Sequence, residues 1–112
     1  MPTGALANLI PESHSGVSGE ATLLRSGDTT IMTVTLSGLA PNSVRAGHVR
    51  AGGCDGPFLF ALESIQADSA GQGRGTATVS APIDTSAWWI EYGANEGSTS
   101  PGMACGQVVA DR

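Results

Sequence analysis

The chain contains no lysine, two histidines, two cysteines and five aromatic residues in 112 positions. Its five arginines face ten carboxylates, so the formal net charge is −5. Proteins that bind nucleic acids usually carry a basic stripe, and anionic membranes attract clusters of Lys and Arg. The charge balance therefore disfavours nucleic acid and an anionic membrane surface as partners. The acidity bears on solubility more than on fold.

Long hydrophobic runs are also missing. No stretch reaches the ~18 apolar residues of a membrane helix, so membrane insertion is not expected. No signal peptide is recognisable. The N-terminal segment 1–3 is typical of the start of a mature domain, so export of the protein is inferred and not read directly from a signal sequence. No window shows a sustained helical stripe of apolar residues.

Short β-prone runs separated by turn residues are present instead. In the clearest run, residues 29–37, apolar side chains alternate with Thr and Ser, which is typical of a strand with one buried face. Segment 26–28, Ser-Gly-Asp, predicts the hairpin turn before it. The expected strands are 4–10, 17–23, 29–37, 44–51, 58–65, 73–80, 87–92 and 106–110. Run 58–65 is mostly apolar and is expected to be covered.

Eight strands in one chain of this length predict a single domain, residues 1–112, with one core. The fold class is all-β, an eight-stranded antiparallel sandwich or barrel. Segment 39–43 is a longer connection, of the length that a Greek-key crossover needs.

The two cysteines, Cys54 and Cys105, lie far apart in a short chain rich in Ser and Thr, which fits an oxidising compartment. A bond between them would close a loop of about fifty residues and contribute roughly 4 kcal/mol through the unfolded state. Two buried free thiols are the alternative. A secreted or periplasmic location is expected.

His48 is the main candidate for chemistry, since His48 and Arg50 point to the same face of an expected strand. Two histidines there could hold copper or zinc, but a guanidinium offers no lone pair. Such metals usually need three or more donors. The other possible donors are the carboxylates, His14, Met32 and Met103. Met32 is expected in the core, His14 in a solvated loop, and Met103 is a ligand only if it turns toward His48.

Two other segments have a structural and a functional interpretation. Trp88 and Trp89 are adjacent, so one enters the core and the other lies on the outer face, where it marks a contact surface unless a loop covers it. The glycine-rich segment 71–75 lacks the helix that follows a phosphate-binding loop. We expect it to be a turn after Asp68. No pair of carboxylates and no Ser-His-Asp set stands out.

Four segments, in this order, carry a family resemblance: 37–43 (SGLAPNS), 46–54 (AGHVRAGGC), 88–92 (WWIEY) and 104–106 (ACG). From about residue 17 to 110 the chain resembles the copper/zinc superoxide dismutase superfamily, and most of all its small bacterial superoxide dismutase-like and CHRD-type extracytoplasmic domains. The resemblance implies an eight-stranded Greek-key β-sandwich. It also implies a Cys54–Cys105 disulfide that ties a loop to the last strand.

The resemblance places the former metal site at five positions: Arg45, His48, Arg50, Glu91 and Tyr92. His48 matches the first histidine of the family's His-any-His copper strand, and Arg50 replaces the second. An earlier histidine would fall at Arg45 and a later one near Tyr92 or Gly93. The zinc ligands and the substrate-guiding arginine have no match here. We hypothesise that Arg50, with Arg45, restores positive charge and that Glu91 pairs with an arginine, worth ~0–1 kcal/mol if the pair is solvent-exposed.

One imidazole does not sustain redox cycling of copper. The expected function is therefore a non-catalytic binding or structural module without a cofactor, acting on an unidentified protein or small molecule, with a homodimer as one option. A copper-binding protein that uses His48 with His14, Met103 or a second chain is the alternative. Residual superoxide dismutase activity is the third hypothesis.

Overall fold

The structure, a computed structural model, describes residues 4–11, 16–54, 56–83, 87–93 and 104–110. Every regular element in these ranges is a strand. The strands are β1 (Gly4–Pro11), β2 (Ser18–Ser26), β3 (Thr29–Ser37), β4 (Val44–Ala51), β5 (Phe58–Gln66), β6 (Gly73–Val79), β7 (Trp88–Tyr92), β8 (Ala104–Gln107) and β9 (Val109–Ala110). In these ranges there is no helix that is long and apolar enough to cross a membrane.

The strands form one antiparallel, nearly closed, barrel-like sheet in the order β5-β4-β7-β8-β1-β2-β3-β6. Strand β1 joins the two halves of this sheet: its first part pairs with β2, and Ile10 and Pro11 pair with β8. The predicted all-β class and antiparallel arrangement are confirmed. The last predicted strand is divided, because Val108 separates β8 from the short β9, which pairs with β1.

The β2–β3 hairpin follows the predicted pattern. Ser26 pairs with Thr29 across a two-residue turn in which Gly27 has a φ of 62°, a value that glycine adopts without strain. Met32, Val34 and Leu36 of β3 are buried. The outward positions carry Thr and Ser, except for Ile31, which is 39% exposed. Met32 is therefore in the core, as predicted.

The sheet stays open at one seam, between its two end strands β5 and β6. The Ile65 side chain packs on Gly73 and Gly75, where a Cβ would meet it, and this contact closes one end of the seam. Asp68 stabilises the connecting turn by accepting hydrogen bonds from the backbone N–H of Ala70 and Gln72. The glycine-rich segment thus begins as the predicted turn and continues into β6. The other end of the seam opens into a cleft of about 410 Å³ lined by Ala61, Leu62, Glu63, Ser64, Ala77 and Thr78.

Side chains from both halves of the sheet fill one core. Its largest fully buried members are Leu23, Met32, Leu36, Ile65, Ile90 and Tyr92. The buried Thr30 hydroxyl donates a hydrogen bond to the Ala81 carbonyl at 2.7 Å, so this polar group keeps a partner inside the core.

The expectation that run 58–65 is covered is wrong for its first part. Phe58 is 56% exposed and Leu59 is 43% exposed, whereas Leu62 and Ile65 are buried. Strand β5 lies at an end of the sheet, and its pairing with β4 shifts register twice, once between Arg45 and Gly47 and once between Val49 and Arg50. Such irregularities re-aim side chains at a sheet edge, which is why an apolar run does not become a buried strand.

Candidate functional site

The pairing of β4 with β7 places the candidate residues on one face. His48 lies opposite Glu91, and Arg50 lies opposite Trp89. Because side chains alternate along a strand, these four lie on the outer face, while the intervening Val49 and Ile90 are fully buried in the core. Phe58 lies opposite Arg50 on the neighbouring strand β5. We call His48, Arg50 and Glu91, together with Phe58, the β4–β7 cluster.

Arg50 and Glu91 form an ion pair at the centre of this cluster. Arg50 Nε donates to Glu91 Oε1 at 2.5 Å, and Arg50 Nη1 donates to the Gly56 carbonyl at 2.7 Å. The two side chains are 21% and 7% exposed. The hypothesis that Glu91 pairs with an arginine is confirmed for Arg50. The pair is shielded from water rather than solvent-exposed, so the small energy of surface pairs does not apply to it.

Phe58 connects the histidine to this ion pair. Its ring stacks on the His48 imidazole, with centroids 3.9 Å apart and planes at 4°. The Arg50 Cζ lies 4.2 Å from the same ring centroid, a cation–π distance. One exposed aromatic ring thus contacts both side chains that the resemblance aligns with the His-any-His pattern.

The environment of His48 favours its neutral form. Partial burial and the nearby positive charge of Arg50 lower the pKa of His48 below its ordinary 6.5, and the negative charge of Glu91 offsets part of this. Burial disfavours the charged imidazolium, as does a like charge. The imidazole is therefore mostly neutral at pH 7, and the neutral form keeps a lone pair.

The disulfide holds a loop over the outer face. Cys54 and Cys105 are bonded, with a Cα–Cα distance of 6.1 Å, as the family resemblance implied. Cys105 pairs with Glu91 across β7 and β8, so the bond lies beside the carboxylate. Within the loop, the Gly56 N–H donates to the Gly53 carbonyl at 3.0 Å. This fold of the loop brings the Gly56 carbonyl to Arg50. A disulfide-bonded pair is compatible with an extracytoplasmic location.

Tyr92 is not part of the cluster, although the resemblance placed it at the former metal site. Its side chain lies on the core side, against Gly47, and its hydroxyl donates to the Glu63 carbonyl at 3.1 Å. Burial, with a smaller effect of the Glu63 charge, raises the pKa of Tyr92 well above its usual 10. The hydroxyl therefore stays protonated. Arg45 pairs with Ile65 in the β4–β5 ladder and is half-buried.

The two tryptophans have opposite positions, as their adjacency predicts. Trp88 is 3% exposed and meets Phe60 edge-on in the core, with ring centroids 5.7 Å apart. Trp88 is therefore the tryptophan that enters the core, because the parity of β7 turns it inward, and it does not provide a contact surface. Trp89 lies half-buried on the outer face, opposite Arg50 and Gln107. A contact role for Trp89 stays a prediction.

The donor set of the β4–β7 cluster does not fit a redox copper site. Among the residues that the structure describes, no group of three or more His, Cys, Asp or Glu side chains is placed to hold a metal ion. His48 is the only histidine in those ranges, both cysteines are in the disulfide, and Glu91 is engaged by Arg50. His14 and Met103, the other predicted donors, lie outside the described residues.

Sequence reasoning missed two partners in the cluster, Phe58 and the Gly56 carbonyl. The carbonyl leaves no side-chain signal. The sequence does contain a signal for Phe58, namely the grouping of all five aromatic residues between positions 58 and 92. In the structure these residues all belong to β5 and β7, on either side of β4.

No protein-family model matches the chain, and no curated protein is significantly similar to it.

Proposed function

We propose that the chain is an extracytoplasmic superoxide dismutase-like domain whose metal site has been replaced by an ion pair, and that it acts as a non-catalytic binding or structural module for an unidentified protein or small molecule. The strand order supports a Greek-key arrangement, because β4 and β5 leave the β1-β2-β3-β6 half and the chain then returns to place β6 beside β3. The disulfide supports an oxidising, secreted or periplasmic location.

The observation that carries this proposal is the Arg50–Glu91 pair. Arg50 stands at the second position of the His-any-His pattern and Glu91 lies directly opposite His48. A permanently charged guanidinium repels a cation and binds the nearest carboxylate itself. It thereby supplies positive charge where the family holds a metal, without using one.

One observation favours copper binding as a second candidate function. The lowered pKa of His48 keeps its imidazole neutral, and a neutral imidazole is the form that binds metals. On this alternative, the remaining donors come from His14, Met103 or a second chain.

Copper titration by calorimetry separates the two candidates. We expect no stoichiometric Cu²⁺ binding by the unmodified protein. We expect Arg50→His to gain a one-to-one site of micromolar affinity or better, because it restores two imidazoles on one strand face and frees Glu91. The double variant His48→Ala/Arg50→His is the matched control and should lose that site. Circular dichroism should show an unchanged sheet for each variant.

Two results would contradict the proposal. Tight one-to-one copper binding by the unmodified protein that vanishes in His48→Ala would establish the metalloprotein alternative. Failure of folded Arg50→His to gain any copper affinity would mean that positions 48 and 50 are not a former metal site. A xanthine-oxidase-coupled assay on copper-loaded protein then tests for residual dismutase activity.

A further inference from the structure

The outer face of β1, β2, β3 and β6 is a regular array in which threonine is the commonest residue. The cross-strand register aligns its residues in three rows. The rows are Asn8-Glu20-Thr35-Arg74, Leu6-Thr22-Thr33-Thr76 and Gly4-Leu24-Ile31-Thr78. We call these twelve positions the threonine face. It lies on the half of the sheet that does not contain the β4–β7 cluster.

The threonine face has no net charge and exposes two large apolar side chains next to each other. Leu24 is 64% exposed and Ile31 is 39% exposed, and they are directly opposite each other on β2 and β3. The face carries only one acidic and one basic residue, Glu20 and Arg74, although the whole chain has a net charge of −5. A solvated sheet face normally mixes many charges. Contiguous exposed apolar residues with a polar border are typical of an interaction surface.

The two charges lie symmetrically about the central strand. Glu20 on β2 and Arg74 on β6 each pair with Thr35 on β3, one from either side. A two-fold axis parallel to β3 and in the plane of contact would exchange β2 with β6. Each Glu20 would then face Arg74 of the other copy, and Ile31 would face its own equivalent. An axis perpendicular to the strands would instead place both charges against the Leu24-Ile31-Thr78 row.

We propose that the threonine face binds a second copy of this chain and forms a two-fold symmetric dimer with the two sheets packed face to face. Isologous interfaces of this kind need a self-complementary patch, and the Glu20–Thr35–Arg74 row provides the complementary charges. Aligned sheets pack about 10 Å apart, so threonine methyl groups and Ile31 fill the space between them. The β4–β7 clusters lie on the outside of this dimer and remain accessible.

The size of the face limits the area that the dimer can bury. Four strands about 4.8 Å apart and a strand rise of about 3.3 Å per residue give a patch roughly 20 Å by 15 Å. Such a patch covers roughly 300 Å² on each copy, which is less than the roughly 800 Å² per partner of a standard specific interface. The dimer is therefore weak and forms only at high protein concentration.

Sedimentation equilibrium across about 10 µM to 1 mM protein tests the proposal with charge-reversed variants. We expect Glu20→Arg and Arg74→Glu each to weaken dimerisation at least tenfold, because each places two like charges opposite each other. The double variant Glu20→Arg/Arg74→Glu should restore association to within a few-fold. The two single variants change the net charge in opposite directions, so a general charge effect would not weaken both.

Glu63→Arg on β5 is the matched control, since Glu63 is exposed on the other half of the sheet. It should dimerise like the unmodified protein. Ile31→Thr, which keeps a β-branched side chain, should also weaken the dimer. A protein that stays monomeric at 1 mM would overturn the proposal. So would association that is unchanged in all the threonine-face variants, or single reversals that weaken it when the double swap does not restore it.

Discussion

At the residue scale, a single side chain determines the chemistry of the β4–β7 cluster. Arg50 binds Glu91 and the Gly56 carbonyl, and its guanidinium lies on the Phe58 ring. The sequence alone excludes Arg50 as a metal ligand, because the arginine side chain has no lone pair to donate. The sequence alone does not identify the partners of Arg50. Glu91 is 41 residues away along the chain, and only the pairing of strands in the sheet brings it close to Arg50.

His48 gives the stability of the protein a specific pH dependence. Its pKa is lower in the folded state than the ordinary 6.5, so between these two values the unfolded chain binds more protons. Stability therefore rises with pH across this window. The contribution of His48 is complete above about pH 6.5 and is lost as the pH falls through 6.5 toward the lower, folded-state pKa.

Urea denaturation at a series of pH values between 5 and 8 measures this effect. We expect His48→Gln to lose less stability on acidification than the unmodified protein does. His14→Gln, which removes the other histidine, is the control and should keep the original pH dependence. Equal pH dependence in His48→Gln and the unmodified protein would contradict the assignment.

At the scale of elements, the contact between β4 and β7 depends on a glycine. A Cβ added at Gly47 would overlap the Tyr92 ring, which lies opposite it in the ladder and is fully buried. The sequence shows a glycine before His48 but not the ring that requires it. The absence of a side chain at Gly47 thus makes room for the largest of the fully buried side chains, Tyr92.

Gly47→Ala should destabilise the protein by about 1–3 kcal/mol, the usual cost of overpacking a core. The Tyr92 ring would have to move, and its hydrogen bond to Glu63 would weaken. Thermal or urea denaturation gives the change in the free energy of unfolding. The double variant Gly47→Ala/Tyr92→Leu should show a coupling energy of at least ~0.5 kcal/mol, because a smaller side chain relieves the overlap.

Gly4→Ala is the control for this prediction. A Cβ at Gly4 would lie 3.5 Å from the Leu23 carbonyl oxygen, an ordinary contact. Gly4→Ala should therefore change stability little. A neutral Gly47→Ala would mean that Tyr92 does not pack where the structure places it.

At the scale of the whole molecule, the disulfide connects the loop after β4 to β8. It closes a segment with a sequence separation of 51 residues, so the unfolded chain loses much conformational freedom when the bond is present. The same bond holds the loop that supplies the Gly56 carbonyl to Arg50. Its loss should therefore affect both global stability and the order of the β4–β7 cluster.

Reduction, or the variant Cys54→Ser/Cys105→Ser, should lower the free energy of unfolding by about 2–4 kcal/mol. Differential scanning calorimetry with and without reductant measures the shift in Tm. The serine variant is its own control, because reductant should not change its Tm. An unchanged Tm after complete reduction of the unmodified protein would contradict a stabilising role for the bond.

The sequence alone determined the local geometry of this protein. Two-residue alternation identifies β3, and the glycine at position 27 allows its hairpin turn. The single imidazole of His48, with an arginine two residues later, disfavours a redox metal site. Each of these depends on neighbouring residues in one strand or turn. The tertiary structure decided which strands pair and in what register, and hence that Arg50 meets Glu91, that Trp88 rather than Trp89 is buried, and that Phe58 is exposed. Register and sheet position are properties of distant partners, so no local pattern contains them.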